Sequence, residues 1–422
     1  MTLKKEDFKK KLVYASMGVQ VCSYYQPIVC LQSSKIFAYE ALIRGWNDCS
    51  GGEMAPAELF SCAEELHLSK EFDLLCQRSA FEFYKDFGRS REALLFLNIN
   101  TSCISESLSE KEKITALTKS MGFHPSVIGL ELIESEAKSA EDLFTFVQNQ
   151  RESGFVIVVD DFGSEHSNLE RLMLIRPDII KIDRNIIHNV DKDPYRQSVL
   201  KSIHSLADMT GVICLAEGVE TDEEVITCAL LGIDLFQGFA FGNPSQNLEE
   251  LEKQTLVKIQ KYRELIQERM LTDIKTTRRL TGDINILADW LARQINPSDH
   301  DGMELIFMEF MVMNPEIECI YILNHEGIQI SNMVINPLLM SSTVSYIFKP
   351  SIKGTDQSLK PYYMHFKAFN ITRYLSDKYL SSTTGNLCRT LVLALMKGEE
   401  TMYLCIDFLE ETVKLPIKME KL

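Results

Sequence analysis

Short apolar runs alternate with helical segments between residues 94 and 239 of this 422-residue chain. The apolar runs are rich in Val, Ile, Leu and Phe and lie at 94–99, 127–132, 156–159, 179–183, 212–217 and 235–239, with helical segments such as 141–154 and 195–210 between them. Alternating strands and helices imply a parallel sheet, which is either doubly wound or closed into an eight-stranded barrel.

Two extended stretches precede this alternation. They lie at 18–31 and 36–44 on either side of the polar turn 32–35, which predicts an antiparallel hairpin over residues 20–43. Residues 56–87 then have the apolar spacing of a helix.

Each strand of the series carries an acid, an amide or a lysine at or near its C-terminal end. These residues are Glu40, Asn98, Glu131, Asp160 with Asp161, Lys181, Glu217 and Gln237. Taken singly, each is explained better as a helix cap or a solvated loop residue. Taken together they favour the barrel, because only a closed barrel brings all these strand ends to one mouth, where barrel enzymes carry their reactive groups.

The pair Asp160–Asp161 ends the buried run 156–159. Adjacent carboxylates repel each other unless a cation or a shared proton compensates, although a helix cap beside a solvated aspartate is the alternative. A set of oxygen ligands without clustered His or Cys suits Mg²⁺ or Mn²⁺ rather than zinc or copper. One aspartate can then bridge two ions, which activate a water and stabilise the leaving oxygen of a phosphoryl transfer.

Composition narrows the class of partner. The net charge of −16 and the pI near 5.1 argue against a grip on a nucleic acid polymer, which needs clustered Lys and Arg. A small anionic ligand remains compatible with local arginines or bound metal ions. No apolar run reaches the roughly 20 residues of a membrane span, and the charged start has no apolar core of a signal peptide, so we expect a cytoplasmic protein.

The motifs resemble those of the EAL-domain cyclic di-GMP phosphodiesterases over roughly residues 18–246. The matching segments, in the order and approximate spacing of that family, are Glu40-Ala41-Leu42 with Arg44, Asn98, Glu131-Leu132-Ile133-Glu134, Asp160-Asp161-Phe162-Gly163, Lys181-Ile182-Asp183, Ala216-Glu217-Gly218-Val219-Glu220-Thr221 and Gln237-Gly238-Phe239 followed by Pro244. The resemblance implies an α/β fold, a modified TIM (β/α)8 barrel whose first strand is antiparallel to the rest. It also implies hydrolysis of cyclic di-GMP to linear pGpG with Mg²⁺ or Mn²⁺.

The resemblance also assigns a role to each matching position. It implies that one metal ion is held by Glu40, Asn98, Glu131 and Asp160, and a second by Asp160 and Asp161. Glu217 would ligate or orient the attacking water, Lys181 would contact that water, and Glu134 would anchor the loop after Asp161. The substrate-binding positions implied in the same way are Gln26, Leu42, Arg44, Asp183 and Gln237. Whether Lys181 removes a proton or stays charged is left open.

One loop departs from the family pattern. Where the family commonly has Asp-Asp-Phe-Gly-Thr-Gly-Tyr-Ser-Ser-Leu, this chain has Ser164-Glu165-His166-Ser167-Asn168-Leu169 after Gly163. Glu165 in place of a glycine restricts the backbone and adds a negative charge near the metals. The complete ligand set favours an active phosphodiesterase; the alternative is a weak or inactive receptor for cyclic di-GMP, and a scaffold that only holds partners is a third hypothesis.

The rest of the chain divides into a connecting region and a second domain. We predict a barrel domain over residues 1–246, an amphipathic helical region over 247–295 that forms a coiled coil or packs along the barrel, and an α+β domain over 296–422 with strands near 319–323, 327–330, 391–395 and 402–407. The last domain resembles a PAS/Cache-type sensor and the C-terminal domain of YkuI-type EAL proteins. The resemblance implies either an unknown small ligand or a role that is purely one of forming a homodimer. Lys360, Tyr362, Tyr363 and Asp407 are candidate lining residues for such a ligand, and core packing and turn formation explain them equally well.

Overall fold

The computed structural model describes residues 12–14, 19–47, 53–88, 92–101, 113–133, 139–164, 169–296, 300–339, 350–369, 371–381, 384, 386–397 and 400–409. The chain divides into two compact units, Met1–Met270 and Leu271–Leu422. This division falls inside the region that the sequence assigns to a connecting helix, and the three-part division at residues 246 and 295 stays a prediction.

The first unit contains a closed barrel of eight strands. In chain order its sheet comprises β1 (Leu12–Tyr14), β2 (Val19–Cys30), β3 (Lys35–Asn47), β4 (Glu53–Met54), β5 (Leu94–Ile99), β6 (Ile128–Ile133), β7 (Val156–Phe162), β8 (Ile179–Ile182), β9 (Ile213–Ala216) and β10 (Leu235–Gln237). β2 and β3 pair with each other and close the sheet, while β1 and β4 extend it outside the barrel. β2 is antiparallel to both of its barrel neighbours, β3 and β10, and the other barrel pairs are parallel. The predicted barrel and its antiparallel first strand are therefore confirmed.

Helices surround the barrel strands. They are α1 (Pro56–Glu65), α2 (Ser69–Gly88), α3 (Lys113–Ser120), α4 (Ala140–Ser153), α5 (Leu169–Ile175), α6 (Arg184–Ile187), α7 (Pro194–Thr210) and α8 (Asp222–Leu230). The helical pattern at 56–87 is split into α1 and α2 by a turn in which His67 has φ 57°. Apolar periodicity continues through that turn, so it does not mark the break.

The barrel interior has an apolar layer beneath a polar one. The apolar layer contains Ile28, Ala38, Phe96, Val158, Ile179, Leu215 and Leu235, one from each of seven strands. β6 contributes Gly129, where a Cβ would lie 2.5 Å from the ring of Phe96. Side chains on a strand return to the same face every second residue, so the residue two positions after each member of this layer on a parallel strand also faces inward. Those residues form the polar layer.

A helix of 47 residues, α9 (Leu248–Gln294), follows the barrel. Its first part packs on the barrel, because Leu248, Leu251, Ile259 and Tyr262 belong to the main apolar cluster of the first unit. This is the second of the two arrangements that the sequence allows for this region. None of the helices in the described ranges has the length and apolar character that a bilayer crossing requires.

The second unit is an antiparallel sheet with helices. After the second part of α9 come α10 (His300–Met313), β11 (Ile317–Asn324), β12 (Val334–Ile335), α11 (Pro361–Phe369), β13 (Arg373–Leu375), β14 (Tyr379–Leu380), β15 (Leu387–Lys397) and β16 (Glu400–Phe408). The strand order is β12-β11-β16-β15-β13, with β14 paired to β15. The α+β prediction is confirmed, but the strand predicted at 327–330 is wrong: this segment makes only isolated bridges, from Ile328 to Asp356 and from Gln329 to Leu323.

Candidate metal centre

The polar layer collects the predicted strand-end residues at the carboxyl end of the barrel. Glu40, Asn98, Asp160, Lys181, Glu217 and Gln237 each lie two positions beyond a residue of the apolar layer, and Glu131 lies two positions beyond Gly129. Asn98 is aligned with Glu131 across β5 and β6. On each of these strands, an inward-facing apolar residue of the apolar layer is thus followed two positions later by an inward-facing residue of the polar layer.

Asp160 and Asp161 form a β-bulge in β7. Val159 is aligned with Ile180 and Phe162 with Ile182, so Asp160 and Asp161 together lie opposite Lys181. Such a bulge interrupts the alternation of faces. Asp161 adopts φ 56°, a left-handed conformation that aspartate tolerates better than most residues. One carboxylate oxygen each from Asp160, Asp161 and Glu217 lies within 4.8 Å of the others.

The ammonium group of Lys181 lies among four carboxylates. Its Nζ is 3.1 Å from Asp160 Oδ1, 3.2 Å from Glu131 Oε1, 3.4 Å from Glu40 Oε2 and 3.7 Å from Glu217 Oε1. The lysine is fully buried. Burial by itself would lower the pKa of Lys181, but the surrounding carboxylates raise it well above its ordinary value.

Amides orient Glu40 within this layer. Gln237 Nε2 donates to Glu40 Oε2 at 2.5 Å, and Asn98 Nδ2 donates to Glu40 Oε1 at 3.1 Å. Gln237 Nε2 also lies 3.3 Å from Gln26 Oε1, and Gln26 in turn donates to the carbonyl of Gly242. Burial opposes ionisation of Glu40, but Lys181 and the two amide donors lower its pKa below the ordinary value.

Glu131 and Glu217 have too little positive charge near them to keep their ordinary pKa. Burial, with Glu40 next to it, raises the pKa of Glu131 well above its ordinary value. Burial also raises the pKa of Glu217 to about 8, although Lys181 acts in the opposite direction. A buried carboxylate reverts to its usual acidity only when more cationic charge is brought close to it.

The oxygen atoms of the polar layer are suitable ligands for divalent cations. Glu131 has 0% exposure, and among the described residues its cationic contact is the Lys181 ammonium, 3.2 Å from Oε1 but without hydrogen-bond geometry. Lys181 is shared with three other carboxylates, so keeping Glu131 ionised is costly unless a further cation coordinates it. The Oε1 atom of the fully buried Gln237 lacks a hydrogen-bond partner within the described ranges. Carboxylate and amide oxygens are the ligands that Mg²⁺ and Mn²⁺ prefer.

A cavity of about 250 Å³ adjoins this centre. Glu40, Leu42 and Asn98 line it from the barrel, and Asp73 and Gln77 line it from α2. Gln77 Nε2 donates to Asp73 Oδ2 at 2.9 Å, and burial raises the pKa of Asp73 to about 7. Neither α2 residue could be predicted as part of the site, because a polar residue in an amphipathic helix gives no sign of which strand it faces.

Other predicted residues lie at or beyond the edge of this arrangement. Arg44 donates through Nη1 to the carbonyl of Ile43, and it is not among the residues that line the cavity. Asp183 caps α6 by accepting from the backbone N–H of Asn185 at 2.7 Å. Glu134 and residues 165–168, including Glu165, lie outside the described residues.

Comparison with known proteins identifies relatives of the barrel. The EAL domain family model matches residues 11–244. The chain is 31% identical over 226 residues to the probable cyclic di-GMP phosphodiesterase PdeB of Escherichia coli, covering 52% of this chain and 42% of that protein. It is 30% identical over 228 residues to the cyclic di-GMP phosphodiesterase RocR of Pseudomonas aeruginosa, covering 53% of this chain and 57% of that protein. The chain thus spans about half the length of these two relatives.

A third relative aligns with both units. The uncharacterized EAL-domain containing protein YkuI of Bacillus subtilis is 25% identical over 398 residues, covering 92% of this chain and 94% of that protein. The crystal structure of YkuI in complex with c-di-GMP and calcium superposes with a TM-score of 0.71 at 25% identity, covering 92% of this chain and 96% of that chain. The C-terminal unit is therefore of the YkuI type, as its sequence predicts.

Proposed function

Because this chain belongs to the EAL domain family, we propose that it is a metal-dependent phosphodiesterase that hydrolyses cyclic di-GMP to linear pGpG. Relatives of its barrel carry the name of that activity, and a relative aligned with 92% of the chain has been solved with c-di-GMP and calcium. The observation that carries the proposal is Glu131, a carboxylate with 0% exposure that lies among four further acids and shares the ammonium of Lys181 with three of them.

The polar layer would hold two ions of Mg²⁺ or Mn²⁺. Glu40, Asn98, Glu131 and Asp160 would hold one, Asp160 and Asp161 the other, with Glu217 as a further ligand or as the residue that orients the attacking water. Bound divalent ions would supply a more acidic water and neutralise charge on the phosphate. Asp160 suits the shared position, because it contacts Lys181 and also lies in the cluster with Asp161 and Glu217.

Lys181 would lie next to the phosphate of the bound cyclic di-GMP. Its surroundings favour the charged form, in which the ammonium stabilises negative charge that develops on the phosphate oxygens. That preference weakens once the same carboxylates bind cations, which is the condition under which a lysine can accept a proton. For either role Nζ must lie close to the proposed metal ligand Asp160 and to Glu217, which would orient the attacking water. The distances are 3.1 Å and 3.7 Å.

The adjoining cavity would take one guanine base. Leu42, Phe60 and Asp73 line it. An ionised carboxylate can accept hydrogen bonds from two neighbouring N–H donors, which guanine offers and adenine does not. Gln26, Arg44, Asp183 and Gln237 would contact other parts of the nucleotide, and these assignments rest on the family resemblance.

The C-terminal unit would regulate the barrel. The supporting observation is the full-length similarity to YkuI, which pairs the same two units in one chain. We propose that it acts as a sensor within a homodimer and that the chain works in the cytoplasm. Two of its candidate lining residues have hydrogen-bond partners elsewhere in the unit: Tyr362 shares a 2.7 Å hydrogen bond with Tyr321, and Tyr363 donates to the carbonyl of His325.

The test is incubation of the purified chain with cyclic di-GMP and Mg²⁺ or Mn²⁺, followed by chromatography of the linear product. We expect turnover by the wild type and none by Glu40→Ala. Glu92→Ala serves as a control, because Glu92 is an exposed acid paired with Lys35 and lies ahead of β5 at the opposite end of the barrel. Tight binding without turnover would support the receptor that the altered 164–168 loop suggests, and neither binding nor turnover would contradict both.

A further inference from the structure

The turn that carries Glu217 is covered by a side chain from the preceding loop. Gly218 has φ 70°, and a Cβ at this position would lie 2.8 Å from Cγ of Arg184. The aliphatic stem of Arg184 therefore lies directly over the backbone of the turn. Arg184 begins α6, three residues after Lys181.

The end of the same side chain makes an ion pair with the turn. Arg184 Nη2 lies 2.8 Å from Glu220 Oε1, with side-chain exposures of 54% and 32%. An exposed ion pair by itself contributes little to stability. This one differs because the packed stem fixes the guanidinium in place.

A buried carboxylate joins the two loops at a second point. Glu224, at 2% exposure, accepts from the backbone N–H of Asn189 at 3.0 Å through one oxygen and from Glu220 and Thr221 at 3.0 and 3.1 Å through the other. Asn189 follows α6, whereas Glu220 and Thr221 belong to the turn that carries Glu217. Three backbone donors on one buried carboxylate make this connection the stronger of the two.

Backbone hydrogen bonds fix the first part of the turn, from Glu217 to Val219. Glu217 N donates to the carbonyl of Ile182 at 3.2 Å, and Val219 N donates to that of Gln237 at 3.1 Å. The carbonyl of Val219 also accepts from Ala240 N at 3.1 Å. Beyond Val219, Arg184 and Glu224 join Glu220 and Thr221 to the segment after β8. Glu217, Asp160 and Asp161 form the carboxylate cluster at the start of this turn.

We propose that Arg184 and Glu224 are positioning residues that set the affinity of the carboxyl-end site for divalent cations, by joining the loop after β8 to the turn that carries Glu217. The inference rests on the proposed function, since it assumes that Glu217 acts on metal or on the attacking water. Residues that orient metal ligands typically alter metal affinity or activity by about 10- to 100-fold when they are changed. We expect the lower end of this range for Arg184, because backbone hydrogen bonds retain part of the geometry.

The test is calorimetric titration of the full chain with Mn²⁺. Arg184→Ala is expected to weaken Mn²⁺ binding about 10-fold, and Arg184→Lys, which keeps a stem and a charge, to restore most of it. Lys35→Ala is the matched control: its ion pair with Glu92 also measures 2.8 Å and is more exposed, but it lies at the opposite end of the barrel. Glu224→Gln, which replaces one accepting oxygen with a donor, is expected to weaken Mn²⁺ binding at least as much as Arg184→Ala.

Kinetics distinguish positioning from general stabilisation. For Arg184→Ala, kcat and the KM for cyclic di-GMP are expected to return to near wild-type values at saturating Mn²⁺, and the melting temperature in EDTA is expected to match that of Lys35→Ala. Unchanged Mn²⁺ affinity in Arg184→Ala and Glu224→Gln, or equal weakening in Lys35→Ala, would overturn the inference alone. Failure of the wild type to bind Mn²⁺ would instead overturn the proposed function.

Discussion

At the scale of single residues, a change at Glu131 should affect stability and activity in opposite directions. Its carboxylate is buried and shares the Lys181 ammonium with three other acids, and burial with the neighbouring Glu40 raises its pKa although Lys181 acts in the opposite direction. Keeping it ionised without a metal ion therefore costs free energy of folding, and Lys181 still has three other carboxylates within 3.7 Å. We predict that Glu131→Gln raises the free energy of unfolding in EDTA at pH 8 by about 1 kcal/mol, measured by urea denaturation.

The control for this change is Glu92→Gln, which removes an exposed acid. Surface ion pairs contribute about 0–1 kcal/mol, so this variant should be neutral or slightly less stable. If Glu131→Gln proves less stable than the wild type in EDTA, Lys181 compensates the Glu131 carboxylate within the protein, which would contradict a need for a divalent cation at this residue.

Asp407, in the second unit, gives stability a pH dependence. Burial raises its pKa to about 6, although Cys319 Sγ donates to Oδ2 at 3.1 Å. Between about pH 4 and pH 6 the folded chain holds this proton and the unfolded chain does not, so stability should fall as the pH rises through this range. We predict a loss of about 3 kcal/mol from this residue, which Asp407→Asn should abolish. Identical pH profiles for the two proteins between pH 4 and pH 6 would contradict the assignment.

The polar layer shows what residue patterns can predict. Glu40, Asn98 and Glu131 could be assigned to the barrel mouth from sequence, because strand periodicity fixes which face each residue occupies. The bulge at Asp160–Asp161 could not, since it depends on register with β8. Asp73 and Gln77 could not either, because helix periodicity identifies a buried face but not the strand that it contacts.

At the scale of elements, the Phe96 ring of β5 packs against the backbone of Gly129 in β6, within the apolar layer of the barrel. A Cβ at Gly129 would lie 2.5 Å from the Phe96 ring, so Gly129→Ala forces the ring or the strand to move. We predict that it destabilises the chain by about 1–3 kcal/mol, and that adding Phe96→Leu recovers part of the loss. Chemical denaturation measures both.

Gly282 provides the matched control. It lies within α9, and a Cβ there would meet nothing within 4 Å. Gly282→Ala should therefore stabilise the chain by up to about 1 kcal/mol, because alanine has the higher helix propensity. Equal effects of the two substitutions would show that the apolar layer of the barrel is not close-packed at Phe96.

Elements could be predicted from sequence where their own periodicity is strong. The barrel strands and α9 follow this rule. Residues 327–330 do not, because β-branched residues favour extended backbone without specifying a partner strand, and this segment forms bridges instead.

At the scale of the whole molecule, the chain has two units with separate apolar clusters. The proposed metal ligands belong to the first unit, so Mn²⁺ should raise the melting temperature of one thermal transition and leave that of the other unchanged. At a Mn²⁺ concentration 100 times its Kd, the expected stabilisation is about 2.7 kcal/mol. Differential scanning calorimetry with Mn²⁺ or EDTA measures this, and Asp407→Asn should move the other transition. A single transition that shifts as a whole would contradict independent units.

The rate of linear product formation by Glu131→Gln, compared with the wild type at saturating Mn²⁺, tests the central claim most directly. Removing one charged ligand of the proposed metal centre should reduce kcat at least about 100-fold, while the variant stays folded and gains stability in EDTA. Equal rates for the two proteins would contradict a catalytic metal centre at the carboxyl end of the barrel.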